Sequence, residues 1–157
     1  LSHKALEVGY NPEMILAGRS LNDSMGFYVA DQVSKLMTKK RIHLLDANIL
    51  IMGLTFKENC PDLRNTRVVD IVKEFESLNC NVDVYDPWVS RDEAIRELNI
   101  KPIIKPIKGK YDAIVLAVAH DELKALNVAQ IRSYGKENHV LYDIKYLVKA
   151  NESDGRL

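Results

Sequence analysis

Two cations, Lys57 and Arg64, stand in the polar segment Gly53-Leu54-Thr55-Phe56-Lys57-Glu58-Asn59-Cys60-Pro61-Asp62-Leu63-Arg64-Asn65-Thr66. The segment follows a short apolar run, Ile49-Leu50-Ile51-Met52, and leads into a helical pattern with Val68, Ile71, Val72, Phe75 and Leu78 on one face. A helix start offers unpaired N–H groups and a positive dipole end, which suit an anion such as a diphosphate. In that reading Arg64 takes phosphate oxygens in bidentate fashion and Lys57 acts as a mobile point charge. In a second reading both cations pair with Glu58 and Asp62 in a solvated loop, and spacing alone slightly favours this second reading. The segment carries one glycine rather than GxGxxG, so a standard close approach to a dinucleotide pyrophosphate is not supported here.

Other chemistry-bearing residues have simpler explanations. Asp86 follows a second expected strand, 82–85, where an acid can bind ribose hydroxyls, but Asp86-Pro87 also reads as a local turn, and the turn is favoured. His120 follows a third run, with Asp121 and Glu122; a hydrogen-bonded turn residue is favoured over a general base. Asn65 and Thr66 read as helix caps. Cys60 has no identifiable base beside it and reads as a plain thiol. Arg19, Asn22 and Gly26 share one helix face, either as a polar stripe on a cleft or with Arg19 in a surface pair to Asp23. No nucleophile triad, paired-carboxylate spacing or metal-ligand cluster is identifiable.

These residues need elements to position them. Asn11-Pro12 opens a long helix whose apolar stripe runs through Leu21, Met25, Val29, Val33 and Leu36, and Lys35, Lys39, Lys40 and Arg41 crowd its far end. Gly18 and Gly26 interrupt it and read as points of close backbone approach. Strands are expected at 49–52, 82–85, 113–118 and 140–142, with helices at 64–78 and 90–98 and a short one capped by Asn127. Ser90 to Glu93 reads as a capping box. Residues 101–110 hold two prolines and form a loop or a short edge strand. Alternating strands and helices imply a parallel sheet covered on both faces, a Rossmann-like α/β domain over residues 47–157 behind a leading helical segment, residues 1–46.

The chain has 157 residues, enough for one core, with 22 basic and 22 acidic side chains. That balance argues against a nucleic-acid partner. No apolar run is long enough to cross a membrane, and the first residues lack a signal-peptide layout. Cys60 and Cys80 read as free thiols in a reducing compartment, so a cytoplasmic location is expected. A phosphoacceptor receiver domain shares the alternation but needs acids where this chain has Gly53 and Leu54.

The loop from Gly53 to Thr66 resembles the signature loop of the UDP-glucose, UDP-N-acetylhexosamine and GDP-mannose 6-dehydrogenases. Gly9-Tyr10-Asn11-Pro12-Glu13-Met14-Ile15-Leu16-Ala17-Gly18-Arg19, with Asn22-Asp23 and Met25-Gly26, is similar to that family's linker helix. Val84-Tyr85-Asp86-Pro87-Trp88 and Leu116-Ala117-Val118-Ala119-His120 resemble the branch acting on UDP-N-acetylglucosamine or its galactose epimer. The resemblance covers essentially the whole chain. It implies a C-terminal UDP-sugar-binding half of an enzyme that oxidises a sugar C6 hydroxyl twice with two NAD. It also implies an N-terminal half that carries the main NAD site and the catalytic cysteine, and a homodimer built through the 12–40 helix. By the same resemblance Phe56, Lys57, Arg19 and Asn22 contact substrate, Arg64 reaches the cofactor or diphosphate, and Asp62 and Asn59 hold the loop. Lys145 follows the last strand where the family carries a cation, but Tyr146 replaces the usual glycine or arginine. Neither Cys60 nor Cys80 occupies the catalytic position, so no catalytic residue is assigned and this chain alone is expected to be inactive. The alternative is a stand-alone nucleotide-binding or regulatory module without redox activity.

Overall fold

The structure is a computed structural model that describes residues 13–157, with side chains from residue 24 onward. Its elements are α1 (Glu13–Lys39), β1 (Asn48–Met52), α2 (Val68–Ser77), β2 (Asn81–Tyr85), α3 (Arg91–Leu98), β3 (Tyr111–Leu116), α4 (Asp121–Lys124), α5 (Val128–Arg132), β4 (Gly135–Asp143), a 3-10 turn (Ala150–Glu152) and β5 (Gly155–Arg156). Among the described residues the strands form one five-stranded sheet in the order β2-β1-β3-β4-β5, every neighbouring pair parallel. The order reverses between β1 and β3, and parallel sheets bind ligands beyond the carboxyl ends of the strands at such a point.

Strand alternation splits the core into two layers. Ile49, Ile51, Ala113, Val115, Val140 and Tyr142 face one side, packed under Val29, Val33 and Met37 of α1, Phe75 of α2 and Ala94 of α3. Leu50, Met52, Ile114, Leu116 and Leu141 face the other, with Leu123 of α4 and Ile131 of α5. Both layers are dry because β1 and β3 are covered twice, which is why their sequences read as continuous apolar runs.

The second half of the α1 stripe is therefore spent inside this chain. Gly26 marks the crossing of α1 over α2: a Cβ there would lie 2.5 Å from the Asp70 Cβ. Among the described residues Gly18 has no such neighbour.

Several boundaries differ from the sequence expectation. The helix expected from residue 64 starts at Val68. Asn65 takes a left-handed φ of 63°, and the Thr66 hydroxyl donates to the Leu54 carbonyl at 2.7 Å, which folds residues 64–67 into a turn. Ser90 stands at the N-cap of α3 without a side-chain capping bond, so the expected box is not formed. The box at Asn127 is formed, with Gln130. Residues 101–110 form a loop whose Ile103 N–H donates to the Val84 carbonyl at 2.8 Å and whose Lys110 ammonium pairs with Asp83, both on the edge strand β2. Strand β5 has two residues, too few for a periodic signal.

Candidate functional site

Three loops leave the carboxyl ends of β1, β2 and β3 side by side, and a buried carboxylate joins them. Asp86 Oδ2 accepts the Leu54 N–H at 2.6 Å and the Thr55 N–H at 3.1 Å, and lies 3.0 Å from His120 Nε2. Asp86 Oδ1 accepts the Trp88 N–H at 2.8 Å. His120 is fully buried and its ring stacks on Trp88 at 6.2 Å, while the Trp88 indole N–H reaches Glu122. Burial pushes the Asp86 carboxyl up, but hydrogen bonds from His120 and from the Leu54 and Trp88 N–H groups outweigh it and hold it below the usual carboxylate range. Asp86 and His120 are thus turn-holding residues, the favoured sequence reading of each.

Gly53, the first residue after β1, has a φ of +100°, and a Cβ on it would sit 2.5 Å from the Val118 Cβ and 2.7 Å from the Val118 nitrogen. Its glycine is required by backbone handedness and by the β3 turn pressed against it. The loop beyond is closed on itself: the Phe56 N–H bonds the Asp62 carbonyl at 2.8 Å, and Asn59, at φ 53°, accepts the Asp121 N–H at 3.0 Å.

Arg64 and Asp62 form a two-pronged pair, both bonds at 2.9 Å, and the Arg64 N–H adds a third to the same carboxylate. The Arg64 side chain is 80% exposed. Its side-chain hydrogen bond, then its backbone one, hold the Asp62 carboxyl at about 2. The pairing half of the sequence reading is thus present for Arg64. Lys57 is exposed, and its charge adds to the lowering of Asp62.

A cleft of about 370 Å³ opens over the ends of β1, β3 and β4, at the reversal of strand order. Phe56 and Thr55 line it from the signature loop, Asn65, Thr66 and Arg67 from the turn before α2, Met25, Gly26 and Val29 from α1, Val118 from the β3 turn, and Ile144, Lys145 and Leu157 from the far side. Phe56 is 56% exposed. Lys57 and Arg64 stand on the same loop but outside this lining. The side chains of Arg19 and Asn22 lie outside the described residues.

Asn65, Arg67 and Ile144 were not singled out as site residues. In sequence Asn65 and Arg67 fall inside the helix expected from residue 64, Asn65 as a cap, and Ile144 has no signal beyond its place just after a strand. Lys145 was flagged by position and does reach the cleft; its N–H, like that of Val148, is held by the buried Asp143. Tyr146 adopts φ 58°, the left-handed conformation a glycine takes freely, with its ring under the Arg156 guanidinium at 5.0 Å and its hydroxyl bonded to the Leu157 carbonyl. Among the described residues no group of three or more His, Cys, Asp and Glu side chains is placed to hold a metal ion, and no helix is long and apolar enough to cross a membrane. Cys60 and Cys80 are free thiols.

Comparison with known proteins gives this geometry a family. Residues 50–150 match the model of the UDP-glucose/GDP-mannose dehydrogenase family, UDP binding domain. Over all 157 residues the chain is 58% identical to a UDP-N-acetyl-D-glucosamine 6-dehydrogenase of Pseudomonas aeruginosa and 51% identical to one of Salmonella typhi. In both cases it spans 37% of the relative's length. The fold matches a UDP-glucose dehydrogenase from Pyrobaculum islandicum with a TM-score of 0.78 at 19% identity, over 99% of this chain and 34% of that one. The chain belongs to the UDP-glucose/GDP-mannose dehydrogenase family, as a match to its UDP binding domain.

Proposed function

We propose that this chain is the UDP-sugar-binding portion of an NAD-dependent UDP-N-acetylhexosamine 6-dehydrogenase, whose reaction converts a sugar C6 hydroxyl to a carboxylate in two oxidations. The observation that carries this reading is the 58% identity to a UDP-N-acetyl-D-glucosamine 6-dehydrogenase over the whole chain. The site geometry agrees with it: the signature loop borders a cleft at the reversal of strand order. Phe56 offers a ring at the cleft, Lys57 a mobile cation, and Arg64 a planar fork that suits phosphate oxygens. Arg19 and Asn22, from the first half of α1, are assigned to the substrate by family resemblance.

NAD would accept the hydrides. The turn after β1 does not fit its pyrophosphate, because the one glycine there, Gly53, is spent on contact with Val118. Arg64 is therefore the only cofactor contact assigned to this chain, and no step of the oxidation is assigned to it. The free thiols Cys60 and Cys80 favour a reducing compartment, the cytoplasm. The leading segment, residues 1–46, is assigned to a helical linker and residues 47–157 to the nucleotide-sugar domain. Phe27 and Tyr28, 60% and 49% exposed on α1, favour a homodimer through the 12–40 helix; a monomer in sedimentation at micromolar concentration would overturn the dimer.

Calorimetric titration with UDP, UDP-N-acetylglucosamine and NAD separately tests the assignment. The uridine ligands are expected to bind and NAD alone to give no heat. Lys57→Ala and Arg64→Ala each weaken the uridine ligands by roughly tenfold or more, the worth of one hydrogen bond to a charged group. Unchanged affinity in both variants would remove the two cations from the site.

A further inference from the structure

His120 uses both ring nitrogens, and its partners dictate where its proton sits. The Asn59 N–H points at Nδ1 at 3.0 Å, so Nδ1 accepts and carries no hydrogen. Nε2 lies 3.0 Å from Asp86 Oδ2 and 3.1 Å from Thr55 Oγ1. Asp86 is ionised, and a carboxylate only accepts. The Thr55 hydroxyl is committed to the Lys57 carbonyl at 2.9 Å, so its oxygen also accepts. Nε2 must therefore donate. Asp86 and Thr55 each require a proton on Nε2 and the Asn59 N–H excludes one on Nδ1, so together they leave one form, the neutral Nε2–H tautomer.

The arrangement has a consequence for the signature loop. His120 leaves the β3 turn and Asp86 leaves β2, and together they grip the loop after β1 at Leu54 and Thr55 on one side and Asn59 on the other. Phe56 and Lys57 lie between these points, and the Lys57 carbonyl is tied to the Thr55 hydroxyl that the imidazole faces.

We propose that His120 is a positioning residue for UDP-sugar binding: fixed as the Nε2–H tautomer, it clamps the loop at Thr55 and Asn59 and so sets the backbone that presents Phe56 and Lys57. The ligand part rests on the proposed function; the clamp itself does not. Because the two arms use different nitrogens, half-isosteres separate them. Asparagine keeps an amide oxygen near Nδ1 and glutamine keeps an amide N–H near Nε2.

The test uses the 157-residue chain. Ring nitrogen shifts of wild-type His120, read by long-range proton–nitrogen correlation, are expected to show one protonated Nε2 and one bare Nδ1. His120→Gln should speed amide exchange at Asn59 by roughly tenfold, the loss of about one part-buried hydrogen bond, while His120→Asn leaves Asn59 near wild type. Both should weaken UDP by several-fold with unchanged far-ultraviolet dichroism. A protonated Nδ1, or Asn59 exchange unaltered in His120→Gln, overturns the clamp. A clamp that passes these two readings with UDP affinity unaltered in both variants overturns its role in binding. If wild type binds no uridine ligand, the proposed function fails together with the ligand role, and the ring shifts and Asn59 exchange still decide the clamp. The ring shifts need no variant, so a variant that does not fold leaves that reading intact.

Discussion

Replacing Asp86 by asparagine keeps the shape of the side chain and removes its charge and one of its two acceptors. In the folded chain Oδ2 serves the Leu54 and Thr55 N–H groups and His120, and Oδ1 serves the Trp88 N–H. With the amide oxygen toward the Oδ2 side, three bonds survive in neutral form and lose about half their strength, roughly 1 kcal/mol each. The amide N–H then meets the Trp88 N–H, donor against donor, at a further cost of about 1 kcal/mol. The expected loss is about 3–4 kcal/mol, a large fraction of the stability of an ordinary domain. Urea unfolding can be followed by fluorescence of Trp88, the one tryptophan, which stacks on His120 and reports the same cluster. With a slope of about 2 kcal/mol per molar, the midpoint should fall by roughly 1.5–2 M. The sign with pH is also fixed. Asp86 has a folded pKa below its ordinary 3.8, so its contribution is complete above that value and is lost as pH falls through the lowered folded one. The gap between wild type and Asp86→Asn should therefore be constant near neutrality and close below about pH 4. A midpoint shift under about 0.5 M at pH 7 would mean that the carboxylate is solvated and does not hold the three loops.

Gly53→Ala places a methyl against the Val118 backbone at a φ of +100° and should cost about 3 kcal/mol in the same unfolding assay; a near-neutral result would mean that the β3 turn can retreat. Asp62 should titrate near 2 and rise toward 3.8 in Arg64→Ala, as read by carboxyl carbon shifts; an unmoved midpoint would mean that the pair is not formed in solution. Saturating UDP should raise Asp62 in the wild type if Arg64 turns from Asp62 to the diphosphate, and no change on binding would place Arg64 outside the ligand. Gly26→Ala pushes α1 off Asp70 of α2 and should destabilise by about 1–3 kcal/mol, whereas Gly18→Ala, which meets none of the described residues, should not. Equal effects at the two glycines would contradict the packing of α1 on α2.

The alternation of apolar runs and helical faces was enough to read a parallel α/β domain, because β1 and β3 are buried on both faces and cannot hide that in sequence. The loop from Gly53 to Thr66 stood out through its resemblance to the family's signature loop, in which cations, acids and an asparagine hold fixed offsets, while its spacing alone did not mark it as a site. Local signals misplaced ends where a long-range bond decides them. The start of α2 moved to Val68 because Thr66 bonds Leu54, and Ser90 lost its capping bond although its spacing was right. Asp86 and His120 were each legible as turn residues, but not as partners, because 34 residues separate them and only the parallel pairing of β1 with β2 and β3 brings their ends together. Gly53 likewise reads as an ordinary strand end until Val118 is seen against it. Sequence periodicity reports which face of an element is dry. Which loops meet at the ends of the strands depends on strand order, and strand order is a property of the assembled sheet alone.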